Sequence, residues 1–222
     1  DGGVLAVGRQ WTDSGQVETL IWLWDVESGT EIKSLDCISP RGGTFMFISQ
    51  RASSNLPTAR GIDCFYFREG LNNLVFGPDD TMLAMAGYYS DTILIWDISN
   101  DSVFSPNSPK DFTVNALAFS PDGRWLAFGT GTPVGESGFN VSTQLWEVGS
   151  DMPAIMMDWA PGGVVFDVAF SPDSTILVDV SGDASNEMNV LRLWDVESKE
   201  LLAVVRGHTR SLDDVTFSLD GT

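Results

Sequence analysis

Short apolar runs separated by polar turns repeat along the whole chain of 222 residues. "VNALAF" (114–119) alternates apolar and polar positions, "WLAFGT" (125–130) is almost continuously apolar, and "TQLWEV" (143–148) alternates again. Runs of this length and period are typical of β-strands, and no window keeps a helical period over about a dozen residues. The pattern therefore predicts an all-β chain.

The predicted strands recur as a unit. Four segments contain Trp followed by an acidic residue: "LIWLWDV" (20–26), "ILIWDI" (93–98), "STQLWEV" (142–148) and "VLRLWDV" (190–196). Four others join a strand to a turn: "LNNLVFGPDD" (71–80), "VNALAFSPDG" (114–123), "VFDVAFSPDS" (165–174) and "LDDVTFSLDG" (212–221). Their Phe residues, at positions 76, 119, 170 and 217, are spaced at about the length of a four-stranded propeller blade.

In combination, Phe-Ser-Pro-Asp-Gly, Leu-Ala and Leu-Trp-Asp at this spacing resemble the WD-repeat (WD40) β-propellers. The resemblance covers nearly the whole chain except about residues 38–68. It implies one domain over 1–222, or half of a larger ring, with four four-stranded blades in the chain. It also implies a rigid platform for protein or peptide partners, without catalytic residues of its own.

The Trp-Asp pairs have an expected structural role. Their Trp residues should fill the space between blades, and their Asp residues should accept backbone N–H groups where the strands end; the pairs are Trp24-Asp25, Trp96-Asp97, Trp146-Glu147 and Trp194-Asp195. More typical family members add a Gly-His, and here only Gly207-His208 remains. The chain thus resembles a degenerate, bacterial-type version, in which His208 is expected to be structural.

Residues 37–70 interrupt the repeat. We predict an inserted hairpin at about 38–68, with strands "TFMFIS" (44–49) and "IDCFYF" (62–67) around the loop "QRASSNLPTAR" (50–60). Arg51, Arg60 and Tyr66 are its candidate partner-binding residues. The alternatives are that its aromatic residues only cover the side of the propeller, or that it is a collapsed extra blade. Cys37 and Cys64 are expected to lie close together at the base of the hairpin, within reach of a disulfide.

Two long segments between second and third strands complete the candidate partner surface. "GRQWTDSGQVET" (8–19) contains Trp11 and "GTGTPVGESGFNVS" (129–142) contains Phe139. We interpret both segments as loops on the same face of the ring. Aromatic residues in exposed loops favour recognition of a partner.

The charge narrows the class of partner. With 31 acidic and 12 basic residues the formal net charge is −19, which repels phosphate backbones and excludes nucleic acid as an expected partner. The acidic surface suits a basic partner, or serves solubility alone. No apolar stretch reaches the roughly 18 residues of a membrane span, so no membrane is expected either. The compartment stays open.

Recognisable catalytic patterns are missing from the sequence. One His is too few for a His-rich metal site, and no Gly-x-Ser-x-Gly nucleophile turn occurs. We therefore predict no catalytic residues, cofactor or metal, and a non-catalytic scaffold, in one hypothesis the sensing part of a larger bacterial protein. The alternative is an enzyme or carbohydrate-active propeller that uses carboxylates near the central channel, with Asp167, Asp213 and Asp214 as candidates.

Closure of the ring is the last expectation. The chain opens with a second strand, "VLAVG" (4–8), and closes with a first strand, "DDVTFS" (213–218). This first strand should complete the N-terminal blade, because sheets avoid open edges. It can do so in its own chain, giving a four-bladed ring, or in a second chain, giving an eight-bladed homodimer; a piece of one longer propeller could pair in the same two-chain way. The sequence favours the two-chain ring.

Overall fold

The computed structural model describes residues 3–13, 16–39, 45–49, 58–59, 71–87, 92–106, 113–131, 140–152, 155–157, 160–161, 164–182, 190–208 and 212–221. Within these ranges only the backbone is described at 10–13, 16–20, 36–39, 45–49, 58–59, 140–141, 156 and 160–161. Every regular element in the described ranges is a β-strand, and none of them contains a helix. The all-β expectation is confirmed.

Blade one is a single antiparallel sheet in the order β1-β2-β3-β4-β5. Its strands are β1 (Val4–Asp13), β2 (Gln16–Asp25), β3 (Thr30–Ser39), β4 (Phe45–Ser49) and β5 (Thr58–Ala59). The first predicted strand of the insertion is β4, and it pairs with the outer edge of β3. The predicted loop 50–60 was wrong at Thr58–Ala59, which pairs with β4. The second predicted strand, 62–67, lies outside the described residues.

The following strands form three further four-stranded units that share one order of connection. Blade two comprises β6 (Leu71–Phe76), β7 (Met82–Gly87), β8 (Ile93–Asp97) and β9 (Ser102–Phe104). Blade three comprises β10 (Thr113–Phe119), β11 (Trp125–Gly131), β13 (Thr143–Glu147) and β14 (Ile155–Met156), while β12 (Asn140–Val141) pairs with β15 (Ala160–Pro161). Blade four comprises β16 (Val164–Phe170), β17 (Ile176–Gly182), β18 (Val190–Asp195) and β19 (Leu201–Val205). A single bridge, Gly131 to Val164, joins the sheets of blades three and four.

The turn after each first strand places one residue in the left-handed region. That residue is Asp80 (φ 58°), Gly123 (φ 73°), Ser174 (φ 63°) or Gly221 (φ 72°). Glycine adopts this conformation without a steric cost, whereas a residue with a Cβ does not. Blades two and four therefore carry mild backbone strain at a position where blade three has glycine.

Asp80→Gly is expected to raise the free energy of unfolding by about 0.5–1 kcal/mol, because it relieves the left-handed aspartate. Chemical denaturation of the two proteins measures the gain. The matched control is Ser174→Gly, which should gain less because the Ser174 hydroxyl accepts the Asp122 N–H at 3.1 Å. An unchanged or lower stability for Asp80→Gly would contradict the prediction.

The Asp residues of the Trp-Asp pairs accept backbone N–H groups, as expected. Asp25 accepts from Ser28 at 2.6 Å, Asp97 from Asn100 at 2.9 Å and Asp195 from Ser198 at 2.7 Å. The Ser28 and Ser198 N–H groups are the main cause that lowers the pKa of Asp25 and of Asp195. The bonds of Asp25 and Asp195 stabilise the fold above the ordinary aspartate pKa, and this contribution is lost as the pH falls through the lowered pKa.

Glu147, which stands in place of Asp in blade three, makes different hydrogen bonds from the three Asp residues. The Ser150 N–H donates to the main-chain carbonyl of Glu147. The Glu147 carboxylate instead accepts from the Arg124 Nε at 3.3 Å.

Large Trp side chains fill the space between neighbouring blades. Trp96 packs with Leu23 of blade one, and Trp146 packs with the apolar residues of blade two, its ring 6.1 Å from that of Phe104. Trp194 packs against blade three, and all three indoles are at most 2% exposed. The prediction that they are core is confirmed. Trp24 of blade one is only half-buried, because none of the described blades packs on that side of it.

The N-terminal loop prediction was wrong. Strand β1 continues to Asp13 and β2 begins at Gln16, with unbroken pairing from Val4–Asp25 to Asp13–Gln16. Segment 8–19 is therefore a β-hairpin in which two residues join the strands. The alternation in "VGRQWTD" and "QVETLIW" is that of strands, and Ser14-Gly15 is short enough for a tight turn.

The predicted C-terminal strand does not form within this chain. Residues 212–218 belong to no ladder, and β1 pairs only with β2 in the described part of the chain. Closure of a four-bladed ring on its own chain is therefore not what the structure shows. The physical reason is that a strand needs a ladder partner, and β1 lies in blade one while segment 212–221 lies against blade four.

Candidate functional site

The second strand of blade one, β1, is longer than the second strand of blade two, β7. Leu5 is paired with Trp24 as Leu83 is paired with Trp96, so the two strands β1 and β7 can be aligned. Strand β7 ends at the position of Arg9, whereas β1 continues for four more residues, or about 13 Å. We call residues 9–13, 16–20, 36–39 and 45–49 the blade-one arm.

A row of residues crosses four strands of the arm. Trp11 pairs with Glu18, Glu18 with Ile38, and Ile38 with Phe45. Directly paired residues lie on one face of a sheet. The structure thus places Trp11 on a strand rather than in a loop, and in one row with two apolar residues that the sequence analysis did not connect to it.

The other candidate partner-binding residues lie outside the described residues. They are Arg51, Arg60, Tyr66 and Phe139. Cys64 lies outside them too, so the Cys37–Cys64 disulfide stays a prediction. The described strand β4 does place the start of the insertion beside the row of Trp11.

Two of the three channel carboxylates approach each other. Asp167 stands at the bulge of β16, and its Oδ2 accepts the Val215 N–H at 2.9 Å. Burial is the main cause that raises the pKa of Asp167, the Val215 N–H lowers it, and the adjacent Asp214 carboxyl raises it further. Asp213 is exposed. Asp167 therefore attaches the C-terminal segment to blade four.

Blade two makes an analogous contact at the same bulge position. Asn73 of β6 donates from Nδ2 to the main-chain carbonyl of Asn115 at 2.8 Å, which links the first strands of blades two and three. The polar residue at the bulge thus bonds the main chain of the following first strand in both cases. By analogy with Asn73, Asp167 is a residue that links the first strand of its blade to the next segment of the chain.

Asp214→Asn is expected to tighten the docking of segment 212–221 at neutral pH. A raised folded pKa means that burial and the neighbouring Asp214 disfavour the ionised form of Asp167, so the docked segment is most stable at acidic pH and loses stability as the pH rises from the ordinary aspartate pKa through the raised one. Hydrogen exchange of the Val215 amide, expressed as a protection factor, should show this decrease in the unmodified protein and a flatter profile in Asp214→Asn. Asp213→Asn is the control, and equal profiles in all three proteins would contradict the prediction.

A buried polar cluster, absent from the sequence analysis, joins blades three and four. The Asp179 carboxylate of β17 accepts from Arg192 Nε at 2.8 Å, from Trp194 Nε1 at 2.6 Å and from the Thr143 hydroxyl at 2.9 Å. Burial raises the pKa of Asp179, and the Arg192 charge with the donated hydrogen bonds acts in the opposite direction. His208, which was expected to be structural, is exposed. Asp179 takes the bond of the Trp194 indole.

A groove of about 360 Å³ lies between the first turns of blades two and three. Its two carboxylates are occupied by their own turns. Asp79 accepts the N–H and hydroxyl of Thr81 at 3.1 and 2.7 Å, and Asp122 accepts the Arg124 N–H at 3.0 Å. Both carboxylates are therefore held by their own turns through Oδ1, and the groove is a weaker candidate site than the arm.

Several described cations form contacts within the chain. Lys33 pairs with Asp101, Arg192 with Asp179, and Arg124 with both Glu147 and Glu197. The Lys199 ammonium lies 4.0 Å from the ring centre of Trp125. Because these cations are paired within the chain, the excess of acidic residues makes the electrostatic potential of the surface negative.

A metal-ion site and a membrane-spanning helix are both absent from the described ranges. Those ranges contain no group of three or more His, Cys, Asp and Glu side chains placed to hold a metal ion. They also contain no helix of the length and apolar character that crossing a membrane requires.

A family model described as "WD domain, G-beta repeat" matches residues 101–132. The match begins at the outer strand of blade two and ends just after β11, the second strand of blade three. The chain thus carries a WD40 repeat at 101–132, which supports membership of the WD40-repeat family. The matched repeat runs out of phase with the blades and contributes strands to two neighbouring sheets.

Curated WD40-repeat relatives match parts of the chain. The Denticleless protein homolog of Danio rerio is 35% identical over 83 residues, which are 37% of this chain and 12% of that protein. The "Uncharacterized WD repeat-containing protein sll1491" of Synechocystis is 28% identical over 149 residues, which are 65% of this chain and 37% of that protein. The chain therefore spans well under half the length of these relatives.

The propeller fold is also that of a solved structure. The chain superposes on hydrazine synthase of Kuenenia stuttgartiensis with a TM-score of 0.57 and 17% identity, over 84% of this WD40 chain and 50% of that one. At this identity the likeness concerns the fold alone. The β-propeller expectation is confirmed.

Proposed function

We propose that this WD40-repeat chain is a non-catalytic platform that binds a protein or peptide partner through the blade-one arm. The row of Trp11, Ile38 and Phe45 carries the proposal. Ile38 and Phe45 are directly paired, and Trp11 stands in the same row on the other side of Glu18, on strands that continue past the position where β7 ends. Aromatic residues are enriched where proteins recognise each other.

The charge of the chain supports a partner with a basic surface. The formal net charge is −19, and the cations Lys33, Arg124 and Arg192 are engaged by acidic residues of the chain itself. Arg51 and Arg60 of the insertion supply local positive charge close to the sequence of the arm, so the partner carries acidic residues where it meets them. Association should accelerate as salt is lowered.

A photoreactive residue in place of Trp11, in cells of the source organism, tests the proposal. We expect this residue to capture a specific protein by crosslinking. With that protein purified, Trp11→Ala should raise the dissociation constant of the complex at least about tenfold. The control is a photoreactive residue in place of Val26, which is exposed on the same blade outside the arm. Equal capture from both positions, or Trp11→Ala that binds normally, would overturn the proposal.

The wider role that we propose is the sensing part of a larger bacterial protein. The degenerate repeats and the resemblance to a longer Synechocystis WD repeat-containing protein support it. Deleting the region that encodes this chain from its gene should abolish the response that the remaining protein controls, and Trp11→Ala should reproduce that loss.

A second candidate function is an enzyme or carbohydrate-active propeller that uses channel carboxylates. The approach of Asp167 and Asp214, with the raised pKa of Asp167, favours it. Hydrolysis of a panel of nitrophenyl glycosides tests this candidate. Activity that Asp167→Asn and Asp214→Asn abolish and Asp213→Asn preserves would support the enzyme, and no hydrolysis of any glycoside would reject a glycosidase.

A further inference from the structure

The groove between the first turns of blades two and three has surfaces of two chemical kinds. Its apolar surface comes from four residues: Pro78, Met82, Phe119 and Pro121. Its two carboxylates are those of Asp79 and Asp122, one from each blade, and both residues are exposed. The volume of about 360 Å³ lies at the lower end of the range found for ligand sites. A groove of this size suits a single side chain or a small ligand.

A glycine keeps this groove open. Where blade three meets blade four, the Ser174 hydroxyl crosses the junction and accepts the Asp122 N–H at 3.1 Å. Gly123 holds the position of Ser174 one blade earlier, since each is the left-handed residue of its first turn. A Cβ added at Gly123 would lie 3.3 Å from Pro78 across the junction, but glycine has no hydroxyl to offer Asp79. The space that serine fills at one junction is therefore part of the groove at the other.

Each carboxylate has one oxygen outside the bonds of its own turn. Thr81 bonds Oδ1 of Asp79 through its N–H and its hydroxyl. Ser120 and the Arg124 N–H bond Oδ1 of Asp122. The Oδ2 atoms take no part in these bonds. The Thr81 hydroxyl and N–H also lower the pKa of Asp79, so that this carboxylate is ionised at neutral pH.

The groove does not contain a cation of the chain itself. Among the described residues that line it there is no lysine, arginine or histidine. Arg124, next to the turn of blade three, bonds Glu147 and Glu197 instead. Met82 and Phe119 pack against the core between blades two and three. The groove is thus the end of a junction that described strands form on both sides.

We propose that this groove binds an arginine side chain of a partner protein. The methylene stem of arginine packs on apolar surface while its charged end stays near water, which suits the two prolines, Met82 and Phe119. The guanidinium carries five N–H donors in a planar fork, so it can bond the carboxylates of Asp79 and Asp122 together. The formal net charge of −19 attracts a basic partner to this surface.

This site lies away from the blade-one arm. Strand β7 begins at Met82 beside the groove and runs to Gly87, and the aligned strand β1 enters the arm only at that far end. The groove and the arm are therefore at opposite ends of the strands. The arginine site is a second contact surface, beyond the function proposed above, and Trp11→Ala should leave arginine binding unchanged.

Titration of the 222-residue protein with N-acetylarginine amide, followed by amide NMR shifts, tests the site. We expect the Thr81 and Gly123 signals to move with a dissociation constant of about 1–10 mM. N-acetylcitrulline amide has nearly the same shape without the charge, and it should bind at least about tenfold more weakly. Signals near Asp173, in the corresponding turn of blade four, should stay in place.

Two variants separate the shape of the groove from its charge. Gly123→Ser places a hydroxyl in the groove with both carboxylates present, and Ser174 shows that serine accepts this conformation (φ 63°). The double variant Asp79→Asn with Asp122→Asn removes the charge and keeps the Oδ1 acceptors of the turns. Each should raise the dissociation constant for the arginine amide at least about tenfold, and the matched control Asp173→Asn should not change it.

Four results would overturn the proposal. Citrulline amide that binds as well as arginine amide would exclude a charged site. Shifts of equal size near Asp173 would mean a general attraction of cations to the acidic surface. Binding that survives Gly123→Ser or the double asparagine variant would place the arginine elsewhere, and so would binding that Trp11→Ala abolishes. Absence of any shift up to about 50 mM arginine amide would exclude the site altogether.

Discussion

Asp179→Ala is expected to lower the free energy of unfolding by about 3–5 kcal/mol. The substitution leaves the Arg192 guanidinium buried without the carboxylate that its Nε now bonds at 2.8 Å. It also removes the acceptor of the Trp194 indole and of the Thr143 hydroxyl. Chemical denaturation followed by tryptophan fluorescence measures the loss.

The chain supplies a matched control for this substitution. Blade two has the apolar pair Met85 and Leu94 where blade four has Asp179 and Arg192. The double variant Asp179→Met with Arg192→Leu should recover most of the stability, because an apolar pair of similar volume needs no compensation for buried charge. A double variant as unstable as Asp179→Ala would mean that the ion pair itself stabilises the blade.

Trp194→Ala is expected to cost about 3–5 kcal/mol, because it empties the space between blades three and four. Thermal unfolding and denaturant titration measure the loss. Trp194→Phe separates packing from hydrogen bonding, since it keeps most of the apolar volume and removes only the indole N–H bond to Asp179. A cost of about 1–2 kcal/mol is expected for Trp194→Phe, and equal costs for both variants would contradict a packing role.

Strand pattern and turn chemistry could be predicted from the sequence, because both depend on neighbours along the chain. Apolar alternation located the strands of blades two to four, and the Trp-Asp pairs located the turns in which Asp25, Asp97 and Asp195 bond backbone N–H groups. The hairpin of β1 and β2 carried the same alternation. It was interpreted as a long loop between second and third strands, although Ser14-Gly15 is a turn signal.

Contacts across blades could not be predicted in the same way, because they depend on which side of a sheet meets which neighbour. Asp179 was visible as one acidic residue in the apolar run "ILVDVSG", and Arg192 as one basic residue in "VLRLWDV". Only the pairing of β17 with β18 sets them opposite each other, and only the packing of blade four on blade three brings Thr143 to them. The link from Asp167 to Val215 likewise needed the position of the C-terminal segment.

The buried pair in blade four also bears on how a chain of similar repeats assembles in the correct order. Apolar faces such as those around Trp96 and Trp146 fit many neighbours, and repeat proteins misassemble when such faces exchange partners. Asp179 and Arg192 fit only a neighbour that offers a hydroxyl at the position of Thr143. At the equivalent position blade two has Ile93, so packing blade four on blade two would leave the carboxylate short of a donor. The same three residues that stabilise one junction thus favour the packing of blade four on blade three over other pairings of blades during folding.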